Sequence, residues 1–178
     1  MQYIVVDFEF TNAAGMRFRP RGFISEIIEI GMIVCDEQIE KHSFQAFVKP
    51  RLFPKITKSV MDFTGIRQVD VELGLDFSEM LAEMLKYYKI DETKIVAWGD
   101  SDEKVLKEQC RRYKVDYPFS DGDYLDLAKL YSERRGHSRN VSLIDATNTE
   151  AVGSSGFAHM ALDDARNTAL ILQKLLSE

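Results

Sequence analysis

The chain has 178 residues, of which 45% are hydrophobic, and its formal net charge is −6. This composition suffices for a domain with a substantial core, and no apolar stretch approaches the roughly 20 residues of a membrane-spanning helix. An acidic chain is not expected to coat duplex DNA by bulk attraction, so contact with nucleic acid would depend on a local basic patch or bound cations.

Cys35 and Cys110 are the only cysteines, and each lies in an apolar pattern. Two such residues do not make a disulfide framework, so we expect both to be reduced core residues. The first predicted strand begins almost at the N-terminus, which leaves no room for a signal peptide. We therefore expect a cytoplasmic protein with a single domain over residues 1–178.

The first predicted element is a strand over residues 3–10, which are mostly β-branched or aromatic. Side chains two positions apart in a strand lie on the same face. One face is wholly apolar, whereas the other carries Asp7 and Glu9, about 6–7 Å apart. Two ionised carboxylates on a buried strand repel each other and lose hydration, and a divalent cation between them would offset both costs. The pair therefore predicts a metal site.

A loop rich in Gly, Arg and Pro follows over residues 12–22, beside the carboxylates. Four further strands are predicted, over residues 26–35, 43–49, 94–98 and 124–127. Helices are predicted over residues 57–63, 77–89, 102–113, 128–135, 141–151 and 161–176. Three strands in a row, followed by strands that alternate with helices, predict an α/β fold in which helices cover the faces of a mixed five-stranded sheet.

Two further acidic pairs stand at predicted helix starts. Asp100 and Asp102 follow a predicted parallel strand, and the carboxyl ends of such strands face a crevice where ligands bind. Asp163 and Asp164 open the last helix. Each pair is explained equally well as helix caps or as charges that complement the helix dipole. The spacing by itself therefore leaves the role of both pairs open.

Other catalytic chemistries have little support in the sequence. There is no Gly-x-Ser-x-Gly motif, no phosphate-binding loop of the Gly-rich Lys-Ser/Thr type, and no histidine adjacent to either cysteine. His159 lies close in the sequence to Asp163 and Asp164, whereas His42 and His137 have no comparable pair of acidic neighbours. A lone histidine in such a position is more often a surface residue than a catalyst.

Taken together, these residues resemble the DEDDh 3′–5′ exonucleases of the RNase H-like superfamily. The run from Asp7 to Thr11 is similar to the first family motif, Asp-x-Glu-x-Thr. Asp102, in a Trp-Gly-x-x-Asp context, resembles the second motif, and His159 with Asp164 five residues later resembles the third. The resemblance covers essentially the whole chain and is nearest to the Eri-like branch, in particular to bacterial KapD-like exonucleases.

The resemblance implies an RNase H-like sheet with three antiparallel strands and then two parallel ones. It favours Asp102 over Asp100 and Asp164 over Asp163. It also implies two Mg²⁺ or Mn²⁺ ions, because hard carboxylate oxygens suit such ions. In this scheme Asp7 contacts both ions, Glu9 and Asp164 hold the ion of the attacking water, and Asp102 holds the second. His159 accepts the proton of that water.

The implied reaction releases nucleoside 5′-monophosphates from the 3′ ends of single-stranded RNA or DNA, with RNA favoured. The backbone near Phe10 and Thr11 is expected to receive the terminal ribose. Arg134, Arg135 and Arg139 lie in a basic loop that is either a set of phosphate contacts or simply a solvated surface. Two other functions remain open: clearance of very short oligonucleotides, or a regulatory role through a protein partner, since the KapD-like group is linked with control of sporulation.

Overall fold

The computed structural model describes residues 1–14, 16–37, 39–152 and 160–178. Within them, five strands form one sheet in the order β3-β2-β1-β4-β5. Their bounds are Gln2–Phe10 for β1, Ile27–Cys35 for β2, Glu40–Phe47 for β3, Thr93–Ala97 for β4 and Tyr124–Asp126 for β5. The first three strands pair antiparallel, whereas β4 is parallel to β1 and β5 is parallel to β4. The predicted mixed sheet is confirmed.

Seven helices accompany the sheet in the described part of the chain. They are α1 Lys58–Thr64, α2 Gln68–Glu72, α3 Phe77–Leu85, α4 Ser101–Tyr113, α5 Leu127–Arg134, α6 Leu143–Glu150 and α7 Ala161–Leu176. The sequence pattern does not predict the short helix α2. None of the helices in the described ranges combines the length and apolar character that crossing a bilayer requires.

The third helix ends four residues before the predicted bound, because the tyrosines that follow it are held by other parts of the fold. The side-chain amide of Gln2 and the hydroxyl of Thr93 both donate to the carbonyl of Tyr87. The hydroxyl of Tyr88 donates to the Asp123 carboxylate at 2.7 Å. These hydrogen bonds join the end of α3 to the sheet edge where β1 and β4 begin.

Side-chain alternation along β1 divides the core between the two faces of the sheet. Ile4, Val6 and Phe8 pack with the apolar residues of α3 and α4. Tyr3 and Val5 pack on the opposite face with α5, α6 and α7. Helices therefore cover both faces, as predicted. Both cysteines are free and buried, one in each of these clusters.

Candidate active site

Asp7 and Glu9 lie on the part of β1 that extends beyond the end of its pairing with the parallel strand β4. The ladder between β1 and β4 ends at the pair Val5–Val96, and β1 continues beside β2 as far as Phe10. The two carboxylates share the face of β1 on which Val5 packs toward α7. The sheet is therefore open next to them on the β4 side, at the carboxyl end of β4 where crevices form.

Asp164 is brought to this point by the first turn of α7. One carboxylate oxygen each from Asp7, Glu9 and Asp164 lie within 4.8 Å of one another. The approach requires a glycine on β2, because a Cβ placed on Gly31 would lie 2.1 Å from the backbone carbonyl of Ala161. Gly31 is the partner of Asp7 in the β1–β2 ladder. The first turn of α7 therefore packs on β2 directly opposite Asp7, and Asp164 in that turn lies close to Asp7.

Asp102 reaches the same strand from the other side of the opening. Its Oδ1 atom accepts a hydrogen bond of 3.0 Å from the backbone N–H of Phe8. That N–H lies beyond the last β1–β4 pair, so a carboxylate from the first turn of α4 occupies the place that a strand partner would take. Asp102 is buried, and its charge is the largest single charge effect on Asp7.

The carboxylates of this site resist ionisation in the protein alone. Burial, followed by the charges of Asp102 and Asp164, raises the pKa of Asp7 well above its ordinary range. Burial and then the charge of Glu29 raise the pKa of Glu9 to about 8. Burial raises the pKa of Asp102 to about 7 against the opposing effect of the Phe8 hydrogen bond.

The donor set fits a divalent cation. Among the described residues, no Lys or Arg forms an ion pair with Asp7, Glu9 or Asp102. A cluster of buried and partly buried carboxylates is costly unless positive charge balances it. Carboxylate oxygens are the ligands that Mg²⁺ and Mn²⁺ prefer. The site therefore satisfies both the chemistry and the charge that such an ion requires.

Glu29 is a fifth carboxylate at this site, and the sequence pattern does not assign it there. It is buried and faces Glu9 across the β1–β2 ladder. It accepts a hydrogen bond of 2.7 Å from the side chain of Gln45 and another from the backbone N–H of Ala161. Glu29 thus holds the start of α7 against β2. The sequence does contain a signal for Glu29. A single glutamate within an otherwise apolar strand needs a partner or a function to explain its burial, as Asp7 and Glu9 do.

The structure separates the two acidic pairs that the spacing left open. Asp100 is exposed and forms an ion pair of 2.5 Å with Lys104, so it lies outside the cluster. Asp163 lies 3.8 Å from the guanidinium of Arg166, whereas Asp164 belongs to the cluster. The favoured member of each pair is the one that faces the other carboxylates.

Several predicted substrate-binding residues fall in different places. Thr11 is buried, and it exchanges two hydrogen bonds with the backbone of Glu26: its N–H donates at 2.8 Å and its hydroxyl accepts at 2.9 Å. Phe10 packs partly buried against the core on the side of α3 and α4. Both residues are thus held in place by the fold where the loop after β1 begins. His159 lies outside the described residues.

The three arginines predicted in one basic loop divide into two groups, and the first of them, Arg134, is the last residue of α5. Arg134 donates to the carbonyl of Leu175, and Arg135 binds Glu150 and Glu178. Leu175 and Glu178 lie at the end of α7 away from Asp164, about 16 Å along the helix from residue 164 to 175, and Glu150 ends α6 within 3.8 Å of Lys174 in that part of α7. The structure therefore does not bring Arg134 and Arg135 to the carboxylates.

Arg139 is exposed in the same loop, which ends where Val141 accepts a hydrogen bond of 3.1 Å from the indole N–H of Trp98. Trp98 directly follows β4, at the edge of the sheet where the opening lies. Of the three arginines, Arg139 is the nearest in sequence to Val141, whose carbonyl joins this loop to Trp98.

Comparison with known proteins places this arrangement in a family. The family model described as "Exonuclease" (RNase T) matches residues 4–172. The chain is 34% identical over 177 residues to the probable 3′–5′ exonuclease KapD of Bacillus subtilis, a match that covers 98% of this chain and 84% of that protein. The chain belongs to the exonuclease family. It is a 3′–5′ exonuclease, and exonucleases of this family depend on divalent metal ions.

Longer eukaryotic proteins resemble this exonuclease as well. Human ERI1 exoribonuclease 2 is 28% identical, over 98% of this chain but only 28% of its own length. Among solved structures, the nuclease domain of 3′hExo, a DEDDh family member bound to rAMP, superposes with a TM-score of 0.86. That match has 24% identity and covers 99% of this chain and 92% of the other. The structural likeness confirms the RNase H-like fold.

Proposed function

We propose that residues 1–178 form one exonuclease domain that shortens single-stranded nucleic acid from its 3′ end, favours RNA over DNA, and releases nucleoside 5′-monophosphates. The observation that carries the proposal is the convergence of Asp7, Glu9 and Asp164 within 4.8 Å beside a buried Asp102. The longer relatives support RNA as the substrate, because several of them are named exoribonucleases.

We propose that these four carboxylates hold two Mg²⁺ or Mn²⁺ ions. When bound, such ions stabilise the charge that develops on the phosphate oxygens during the reaction. The charges of Asp102, Asp164 and Glu9 all act on Asp7, so Asp7 would be the ligand that the two ions share. The hydrogen bond from Phe8 fixes the Asp102 carboxylate before any ion arrives.

The reaction is hydrolysis of the last phosphodiester. Water attacks phosphorus, the bond to the 3′-oxygen of the penultimate nucleotide breaks, and that oxygen takes a proton from solvent. We assign the proton of the attacking water to His159, because a neutral imidazole is a suitable acceptor near pH 7. The backbone near Phe10 and Thr11, where β1 ends, would contact the terminal ribose, and Arg139 would contact phosphate.

The test uses matched single-stranded RNA and DNA 20-mers, labelled at the 5′ end and incubated with Mn²⁺ or Mg²⁺. We expect a ladder of shortened labelled products, release of nucleoside 5′-monophosphates, faster turnover of RNA, and no reaction in EDTA. Asp7→Asn, purified in the same way, controls for contaminating nucleases. Cuts in a circular single strand, or products that carry a 3′-phosphate, would contradict the proposal.

A further inference from the structure

The segment that follows β1 has a composition that the catalytic site does not explain. Residues 16–22, called here the arginine loop, read Met-Arg-Phe-Arg-Pro-Arg-Gly. Among the described residues, Arg17, Arg19 and Arg21 form no ion pair with a carboxylate, and all three are exposed. Phe18 stands between them with 79% of its surface exposed. The loop therefore presents positive charge and an aromatic ring to solvent in a chain whose net charge is −6.

The arginine loop is held by residues on either side of it in the chain. Five positions before its first residue, Thr11 forms two hydrogen bonds with Glu26, which join the ends of the segment between β1 and β2. Directly after the loop, the ring of Phe23 lies 5.0 Å from that of Phe53. Thr11 directly follows the strand of Asp7 and Glu9, so the segment that carries the arginine loop starts next to the candidate active site.

Arg19 of the arginine loop faces α4 across a groove of about 290 Å³. Arg19 and Phe23 line it on one side, with Lys104, Val105 and Glu108 on the other. Lys104 is two residues beyond Asp102, so the groove begins in the same turn of α4 that carries Asp102, although the two side chains project from different faces of the helix.

The groove follows one face of α4. Lys104, Glu108 and Arg112 are spaced four apart, which places them along that face. At the far end, a Cβ on Gly22 would lie 3.6 Å from the Arg112 guanidinium. From Asp102 to Arg112 the helix rises about 15 Å, which sets the length of the surface.

The charge of this surface is predominantly positive. Lys104 is paired with Asp100, and Glu108 is paired with Arg111, so these two side chains are balanced. Arg112 forms no ion pair with a described residue. The uncompensated charge is therefore that of Arg112 together with the three loop arginines.

We propose that the arginine loop and this face of α4 bind the single strand upstream of the 3′ end that is being cut. Arginines suit the phosphates, since single-stranded nucleic acids bind along positively charged grooves. Phe18 suits a base, because bases stack on aromatic side chains. The inference rests on the proposed function, and it favours long strands over the short oligonucleotides that the sequence alone left open.

Binding is measured first, without catalysis. The full chain and the variant Arg17→Gln/Arg19→Gln/Arg21→Gln are titrated in EDTA against a 5′-fluorescein 15-nucleotide oligo(U), with fluorescence anisotropy as the readout. We expect the dissociation constant to rise at least about tenfold in the variant. The slope of log affinity against log salt should become shallower by about 0.7 for each phosphate that the variant no longer neutralises.

A matched control removes the same charge elsewhere. Lys55, Lys58 and Lys89 are exposed and lie outside the groove, so Lys55→Gln/Lys58→Gln/Lys89→Gln should bind within about threefold of the parent. Equal weakening in both triple variants would mean that net charge alone is responsible and would overturn the proposal. An unchanged dissociation constant in the loop variant would overturn it as well.

The stacking of a base on the aromatic ring is tested separately. Phe18→Ala should weaken oligo(U) binding about fivefold or more, and Phe18→Trp should restore it, because stacking requires a π face rather than phenylalanine itself. Both variants should melt within a few degrees of the parent, since most of the Phe18 side chain is already exposed to solvent. If Phe18→Ala left binding unchanged, no base would stack on Phe18, and this part of the proposal would be wrong.

Catalysis then separates this inference from the function on which it rests. With Mn²⁺, the loop variant should lose kcat/KM mainly on a 20-mer and far less on a dinucleotide, which is too short to reach the groove. A parent that degrades neither substrate contradicts the exonuclease proposal, whereas the binding titration still decides the surface. Equal losses on both substrates would place the arginines at the scissile phosphate and overturn the inference.

Discussion

Gly31 lies directly opposite Asp7 in the β1–β2 ladder, and the backbone of Ala161 occupies the space that a Gly31 side chain would need. The first turn of α7 therefore rests on the bare backbone of β2. This close approach carries Asp164 to within 4.8 Å of Asp7 and Glu9. One missing side chain on the neighbouring strand thus sets the geometry of the carboxylate cluster.

Gly31→Ala should therefore harm both stability and catalysis. The added methyl group collides with backbone, which has no rotamer by which to move away, so α7 must shift. We expect a loss of about 2–4 kcal/mol in unfolding free energy and loss of most activity. Urea denaturation and a 20-mer assay measure the two effects.

Gly136→Ala is the matched control, because no atom of the described residues lies within 4 Å of its Cβ position although its φ is +71°. It should cost only the penalty of a left-handed alanine, about 1–2 kcal/mol, and should retain activity. If Gly31→Ala kept full activity, the close packing of α7 on β2 would not be what positions Asp164.

Asp102→Asn should abolish activity, whereas Asp100→Asn should leave it nearly unchanged. Asp102 is buried against Phe8 and beside Asp7, whereas Asp100 is exposed and caps nothing with its side chain. Loss of its ion pair with Lys104 should cost about 0.5 kcal/mol or less. Single-turnover digestion of a 20-mer compares the two variants. The opposite ranking of activities would move the second motif by two residues.

Asp7→Asn should abolish activity without destabilising the metal-free protein. The substitution nearly preserves the shape of the side chain but removes a carboxyl group whose ionisation several neighbouring carboxylates oppose. Charge repulsion within the cluster therefore falls. In EDTA the variant should melt at the same temperature as the parent or higher. Millimolar Mn²⁺ should raise the melting temperature of the parent more than that of the variant, which has lost a ligand. A variant that melts well below the parent in EDTA would make Asp7 a structural residue.

The metal-free protein should lose stability as the pH rises from about 4.5 to about 8. At low pH, Glu9 is protonated in both the folded and the unfolded chain, so it contributes no difference. As the pH rises, the unfolded chain ionises near the ordinary value of 4.5, whereas the folded chain resists until about pH 8. Asp102, with a pKa of about 7, acts in the same direction between 3.8 and that value.

Urea denaturation in EDTA at several pH values measures this dependence. Glu9→Gln should flatten it, since glutamine does not titrate. Saturating Mn²⁺ should reverse its sign, because metal binding requires the ionised carboxylates. Stability in EDTA that rises across this range would show that the carboxylates are already balanced by groups of the protein.

His159→Ala should lower turnover by about two to four orders of magnitude, the usual contribution of a positioned general base. Metal affinity should survive, because the proposed ligands are carboxylates. Calorimetric titration with Mn²⁺ checks this, with His137→Ala as the control for loss of an exposed histidine. Metal affinity that disappears together with activity would make His159 a ligand instead.

The strand that carries Asp7 and Glu9 is predictable from the sequence, because the period of two is a local property of β structure. Both residues occupy the predicted face. Helix bounds are less predictable. The third helix is shorter than its apolar pattern predicts, because Tyr87 and Tyr88 continue that pattern while distant groups bind them. The roles of Asp102 and Asp164 came from resemblance to a family, since local spacing fits a helix cap equally well.

Only the tertiary structure decided which charges meet. Arg134 and Arg135 are equally well explained in the sequence as phosphate contacts or as a solvated surface, yet Arg134 binds the carbonyl of Leu175 in α7 and Arg135 binds Glu150 at the end of α6 and Glu178. Glu29 looked like an isolated charge, yet it faces Glu9 and holds the start of that helix. The reason is physical: periodicity fixes the face on which a side chain lies, whereas the distance between residues far apart in the chain depends on how helices pack on the sheet. At this site, that packing depends on the absence of a side chain at Gly31.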